Sequence, residues 1–206
     1  MKRGSEAEMG GGPSALSVSP RVESRWRKLL DAFPTESFRN ESLQMFPAER
    51  KVRGRGRRVG MDITWVTDRI AVGGGIWNAD NMAAVSRAGI THIIDMQIEF
   101  DDTPLAGPHG IAVCWNPVDD DFEPKAPEVF ARGVGFGLGA LEENGAKLFI
   151  HCAAGVHRAP MMTLALLGVM GWTVEDAVDL IETRRPAADF AEVYVRSVEE
   201  FLKGRG

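Results

Sequence analysis

The alternation of apolar and polar positions changes character near Met61. Before that point large apolar residues are sparse; after it, short apolar runs alternate with segments of helical period. Ile63–Val66 and Arg69–Val72 read as strands, an antiparallel pair turning at Thr67-Asp68. Thr91–Asp95, Gly110–Cys114 and Lys147–Ile150 are short apolar runs suited to buried parallel strands. Helical stretches lie between and after them. Asn78 caps one that ends at Gly89, where a left-handed residue is commonly needed. A second begins near Pro127 and aligns Phe130, Val134, Leu138 and Leu141 on one face. Its alternate glycines, Gly133, Gly135, Gly137 and Gly139, each cost about 1 kcal/mol against alanine, so it must lean on tertiary packing. A buried helix follows, from the apolar run at Met161 to Gly168–Gly171. Thr173 then caps a helix with Val174, Ala177, Val178 and Ile181 on one stripe. The last helix carries Phe190, Val193, Tyr194, Val198 and Phe201. No internal repeat interrupts this order. It predicts an α/β fold, a central, mostly parallel sheet flanked by helices.

Charge divides the chain at the same place. Residues 1–60 hold 13 Lys/Arg against 7 Asp/Glu, whereas residues 61–206 hold 11 against 22. The head is rich in Gly, Ser and Pro, so residues 1–60 are expected to be disordered or loosely attached, apart from a short helix around Trp26, Leu29, Leu30 and Phe33. Its run from Arg50 to Arg58 reads as a solvated linker first and as a nucleic-acid patch second, because no aromatic residue interleaves it. The longest apolar run, Met161–Met170, is about half of what a membrane span requires, and no secretory leader is visible at the start. Two cysteines make no disulfide framework, which favours a reducing, cytoplasmic setting. Residues 61–206 are the expected folded domain.

The chemistry gathers in HCAAGVHRAP, His151 to Pro160, between the Lys147–Ile150 strand and the buried helix. A strand, a Gly-containing loop and a helix start aim several backbone N–H groups at one point, with the positive helix end behind them. That arrangement binds an oxyanion. Cys152 at the loop's start sits where the same field favours thiolate, the nucleophilic form. Arg158 can grip two oxygens of a phosphoryl group with its planar fork. Small residues at Ala153, Ala154 and Gly155 allow close backbone approach. Backbone N–H groups from Ala153 through Gly155, Val156 and His157 to Arg158 are the expected phosphate ligands, and His151 is a supporting residue that hydrogen-bonds the loop and tunes the thiolate. For His157, facing the substrate and filling space weigh equally. A zinc site fails for want of ligands, with four histidines and no C-x2-C pair.

Cys152-Ala-Ala-Gly-Val-His-Arg158, preceded by His151, resembles the C-x5-R phosphate loop of the cysteine-dependent protein phosphatases. The resemblance covers roughly residues 61–206 and is greatest to the compact dual-specificity branch. WVTDRIAVGG resembles the first strands of that domain, AGITHIIDM its next strand, and Arg184-Arg-Pro186 the turn before its final helix. The resemblance implies a phosphate monoester hydrolase working through a phosphocysteine intermediate, without metal or organic cofactor. Its substrate would be a phosphotyrosyl or phosphoseryl/phosphothreonyl protein. It also implies a general acid on a loop some 30 residues before the cysteine. Asp119-Asp120-Asp121 lies there; Asp120, 32 residues ahead of Cys152, best matches the proline-to-acid spacing from Pro117, followed by Asp121 and then Asp119.

One position departs from the pattern. The family usually has Ser or Thr after the arginine, and this chain has Ala159, as regenerating-liver phosphatases do. Slow breakdown of the phosphoenzyme is the expected consequence, and a slow or non-catalytic phosphate-binding module is the alternative reading. RNA 5′-phosphates, phosphoinositides and phosphorylated sugars are the alternative substrates. Absence of lysine from the loop disfavours phosphoinositides, and the acidic body disfavours polyanions unless the basic head recruits them. A sulfur-transfer or thiol-redox role has no use for Arg158 with an upstream acid and ranks last. Cys114 reads as a buried strand residue; a reversible disulfide with Cys152 is the lesser reading.

Overall fold

The computed structural model describes residues 60–204. The short helix expected around Trp26 and the basic run Arg50–Arg58 lie outside the described residues. Five strands form one sheet: β1 (Ile63–Trp65), β2 (Ile70–Gly73), β3 (His92–Asp95), β4 (Ala112–Trp115) and β5 (Leu148–His151), in the order β1-β2-β5-β3-β4. Only the β1–β2 pair is antiparallel. Its turn is closed by the Thr67 hydroxyl, which accepts from the amides of Arg69 and Ile70.

Helices α1 (Ala79–Arg87) and α2 (Thr103–Ala106) follow β2 and β3, and α3 (Pro127–Glu142) follows β4. After β5 come α4 (Arg158–Val169), α5 (Val174–Arg184) and α6 (Glu192–Lys203). The expected caps are present: Asn78 accepts from the Asn81 amide, Thr173 accepts from the Asp176 amide, and Gly89 is left-handed at φ 79. Alternation along β5 divides the core in two. Phe149 packs with Ile76, Met82, Val85 and Ile93 on the α1 side, while Leu148 and Ile150 pack with α3, α4, α5 and α6 on the other. α4 lies against α3, α5 and α6 and is apolar all round, as a buried helix must be.

Three expectations need correction. The strand read as Gly110–Cys114 is β4, shifted to Ala112–Trp115 and placed at the sheet edge, so Ala112 and Trp115 are exposed. An apolar run marks a strand but not its place in the sheet. α2 and the 3-10 turn Gly107–His109 were not anticipated, because they are too short to show a helical period. The buried stripe of α3 is Phe130, Gly133, Val134, Gly137 and Ala140, whereas Leu138 and Leu141 are half-buried. Close approach explains this stripe. A Cβ at Gly133 would stand 2.6 Å from Met162 Sδ, and one at Gly137 would stand 3.2 Å from Leu148 Cδ2. Gly135 has open space. Gly135→Ala should therefore stabilise the domain by about 1 kcal/mol, while Gly133→Ala should destabilise it. Urea unfolding midpoints of the two variants, moving in opposite directions, check this.

Candidate active site

β5 ends at His151, and the chain turns through residues 152–157 before α4 begins at Arg158. Within this loop the carbonyls of residues 153–156 are all engaged. The Ala153 carbonyl accepts from the Gly75 amide at 3.0 Å and the Val156 carbonyl from the Asp189 amide at 2.9 Å. Buried Arg185 donates to the other two, Nε to the Gly155 carbonyl at 2.7 Å and Nη2 to the Ala154 carbonyl at 3.3 Å. In a trans peptide the C=O and the following N–H point in opposite directions. Four carbonyls tied to the surrounding body thus turn the amides of Ala154, Gly155, Val156 and His157 toward the loop's interior. The Gly155 amide donates to Cys152 Sγ at 3.2 Å, which shows that orientation directly. Gly155 is left-handed at φ 66, and a Cβ there would stand 2.4 Å from both Arg185 Nη2 and the Gly73 carbonyl.

Arg158 supplies the cradle's cation. Its Nη1 and Nη2 form a two-pronged pair with Glu99 at 3.0 and 2.8 Å, and Nη1 also donates to the Val118 carbonyl at 2.9 Å. That pairing holds the Glu99 carboxyl below its ordinary range. Nε is buried without a hydrogen-bond partner. The guanidinium is thus anchored along its Nη1 edge and leaves its Nε edge for a ligand.

The acidic run resolves into three different environments. Asp120 Oδ2 lies 3.1 Å from His157 Nδ1 and 3.7 Å from Arg158 Nε. Asp121 is exposed, and the ammonium of Lys125 holds its carboxyl below the ordinary range. Asp119 is exposed. Of the three, Asp120 is the one brought to the loop. His157 stands between Asp120 and Asp189, with its Nε2 3.5 Å from Asp189 Oδ2.

Next to Cys152 in the chain, His151 Nε2 is 2.8 Å from Asp102 Oδ2 and 3.8 Å from Asp95 Oδ1, all three being fully buried. The shorter contact is off hydrogen-bond alignment. Burial lifts the Asp95 carboxyl to about 6 against the pull of His151. Among the described residues these three form the set whose atoms lie close enough to share a cation. Asp95 already accepts from the amides of Gln97 and Asp102. Cys114 stands apart. β3 separates β4 from β5, which puts their backbones roughly 10 Å apart, beyond disulfide reach of about 7 Å. Burial raises the Cys114 thiol to about 11.

The description "Dual specificity phosphatase, catalytic domain" matches residues 76–203, well over half of the chain. The chain belongs to this family. The match supports a phosphatase of the cysteine type. This dual specificity phosphatase domain is 23% identical over 133 residues to human protein phosphatase Slingshot homolog 2, across 62% of the chain but 9% of that protein. It is 31% identical over 72 residues to human dual specificity protein phosphatase 5, across 34% of the chain and 18% of that protein. Among solved structures, DUSP15 superposes with a TM-score of 0.56 at 25% identity, covering 69% of this chain and 88% of that one.

Sequence reasoning missed Glu99, Asp102, Asp62 and Tyr194. Glu99 and Asp102 sit in the acidic stretch after β3, which carries no motif of its own. Arg185 was noted only as part of a turn. Asp62 carried no signal, yet it holds Arg185 through paired contacts of 2.9 and 2.6 Å, with Thr64 Oγ1 as a further acceptor.

This bracket has a signature in pH. The Arg185 guanidinium lowers the Asp62 carboxyl, so the folded state binds its proton less readily than the unfolded state. The resulting stability is present above the ordinary carboxylate value and is lost as pH falls from there through the lowered one. Asp62→Asn should lower the melting temperature at pH 7. The gap from the unsubstituted protein should shrink below about pH 4, and melting curves between pH 3 and 7 measure it.

Proposed function

We propose that this domain hydrolyses phosphate monoesters on proteins through a phosphocysteine intermediate. The observation that carries the reading is the loop itself. Four carbonyls are pulled outward, four amides face inward, and Cys152 Sγ and the open edge of Arg158 share the same cradle. Such a set stabilises a trigonal-bipyramidal phosphoryl group whose charge lies on its equatorial oxygens. The Cys152 thiolate attacks phosphorus, forming S–P while the P–O bond to the leaving group breaks. Asp120 gives its proton to that oxygen. Water then attacks phosphorus and Asp120 takes a proton from it. The S–P bond breaks with its electron pair returning to sulfur, and inorganic phosphate leaves. These steps draw on no metal or organic cofactor.

The surroundings favour a substrate with a single phosphate. Ala153, Ala154 and Val156 offer no cation, and Glu99, Asp120 and Asp189 stand close around Arg158 and His157. A second phosphate would meet like charge there. Exposed Phe122, edge-on to His157 at 5.0 Å, offers an apolar contact for a phosphoamino-acid side chain. No helix among the described residues is long and apolar enough to cross a membrane.

Phosphate release from phosphotyrosyl and phosphothreonyl peptides, an inositol phosphate and a 5′-phosphorylated RNA tests the assignment. The peptides should lead, and Cys152→Ser should abolish release from all of them. A protein that binds phosphopeptide but releases no phosphate would be a phosphate-binding module instead. Asp120→Asn should lower kcat/KM, which reports phosphoenzyme formation, by about 10²–10⁴-fold on alkyl phosphates while sparing it on an activated aryl phosphate. A third expectation comes from Ala159, which is fully buried at the first turn of α4 and has no hydroxyl for the departing sulfur. Rapid mixing should show a burst of alcohol followed by slow turnover, and Ala159→Ser should shrink the burst and speed the steady state by roughly 10-fold or more.

A further inference from the structure

The two oxygens of Asp120 are held by different side chains. Oδ1 accepts from the Tyr194 hydroxyl at 3.0 Å. The same hydroxyl accepts the Phe122 amide at 2.9 Å. A phenol has one proton to donate, and the Phe122 N–H can be met only by a lone pair. The direction is therefore settled: Tyr194 donates and Asp120 Oδ1 accepts. Oδ2 is turned the other way, 3.1 Å from His157 Nδ1 and 3.7 Å from the unpartnered Nε of Arg158. With Oδ1 occupied by a donor, the acid's proton belongs on Oδ2, beside the edge left open for the phosphoryl group.

We propose that Tyr194 is a positioning residue for the reaction, selecting the oxygen of Asp120 that carries the proton and holding it, together with His157, toward the phosphate cradle. This rests on the reading of Asp120 as the general acid. The surroundings of Tyr194 suit the task. The side chain is 1% exposed in α6, so its hydroxyl has a fixed address. Burial, and after it the carboxylate it serves, raise the phenol to about 12, which keeps it a donor at working pH. The acid loop is docked on the same helix at further points. The Lys125 amide donates to Ser197 Oγ at 3.0 Å, and the Lys125 ammonium lies over the Tyr194 ring at 5.3 Å. Phe122 is left-handed at φ 58, an unfavourable conformation for an aromatic residue. Its bond to Tyr194 and its ring, stacked on Tyr194 at 5.8 Å and 8°, hold it there. His157 Nδ1, 3.1 Å from Oδ2, is the second group that fixes the orientation of the carboxyl.

A double-substitution cycle tests this on the full chain. Rates of the unsubstituted protein, Tyr194→Phe, Asp120→Asn and the double variant are compared on an alkyl phosphate and on an activated aryl phosphate. Tyr194→Phe should lower kcat/KM, which reports the step that expels the leaving group, by about 10- to 100-fold on the alkyl ester, a part of what a well-placed acid supplies, and by much less on the aryl ester. Added to Asp120→Asn it should cost little more. Equal losses on both substrates, or a full additional loss in the double variant, would mean a structural role and overturn the proposal. Failure of the acid assignment is seen separately, in Asp120→Asn showing no dependence on leaving group, and it takes this proposal with it. Should Tyr194→Phe fail to fold, His157→Asn in the same cycle probes the other oxygen, and additivity there is equally adverse.

Discussion

Everything at this site depends on which way four peptide groups face. An extended or helical continuation of β5 would satisfy the loop's carbonyls and amides within regular structure and leave none for a ligand. Instead Arg185, Gly75 and Asp189 draw the carbonyls of residues 153–156 outward, and the amides have only the interior left. Bonds from a charged donor are worth more than neutral ones, about 1.5–3 kcal/mol each. A buried arginine satisfied by Asp62, Thr64 and two loop carbonyls is therefore a stiff bracket rather than an adjustable contact. Stiffness matters because donors arranged in advance need no reorganisation when charge develops on the phosphoryl oxygens.

The same economy of donors governs Arg158. A guanidinium has five N–H groups in one plane. Glu99 and the Val118 carbonyl engage the Nη side, so the side chain cannot swing, and Nε lies 3.7 Å from Asp120 Oδ2 with no hydrogen bond of its own. Each cation at the site is anchored by a carboxylate from another element, Arg158 by Glu99 and Arg185 by Asp62. The acidic net charge of the domain thus holds the working cations in place, and it leaves little free positive charge to attract a polyanion.

The parallel strands place this assembly. β2, β3 and β5 run side by side in one direction, so the loops after them emerge at the same end of the sheet. The loop after β2 contributes Gly75, the loop after β3 contributes Glu99, and the loop after β5 contributes the cradle. Sites at the carboxyl ends of parallel strands are general in α/β proteins for this reason. Asp120 comes from the loop after β4, docked on α6 rather than on the sheet. Its placement is a matter of helix packing, and Tyr194 is the point at which that packing meets the chemistry.

Local signals determined a good deal of this. Short apolar runs separated by capped amphipathic stretches specify an α/β fold, because burial periodicity and capping are decided within a few residues. The order Cys152, Gly155, Arg158 after a strand marks a phosphate cradle for the same reason: loop, glycine and helix start are neighbours in sequence. What the sequence left open were pairings across long separations. The spacing from Pro117 favours Asp120 over Asp121 and Asp119, but its partners, His157 and, on α6 more than 70 residues away, Tyr194, are supplied by packing. Glu99 and Asp62 look like ordinary surface acids until β3 and β1 bring them to Arg158 and Arg185. The edge position of β4, which leaves Cys114 two strands from Cys152, depends on strand order, which apolar pattern does not encode. Backbone conformation is chosen locally, but the partner that completes a buried charge or a carboxyl oxygen is chosen by packing, and only the assembled sheet and helices decide it.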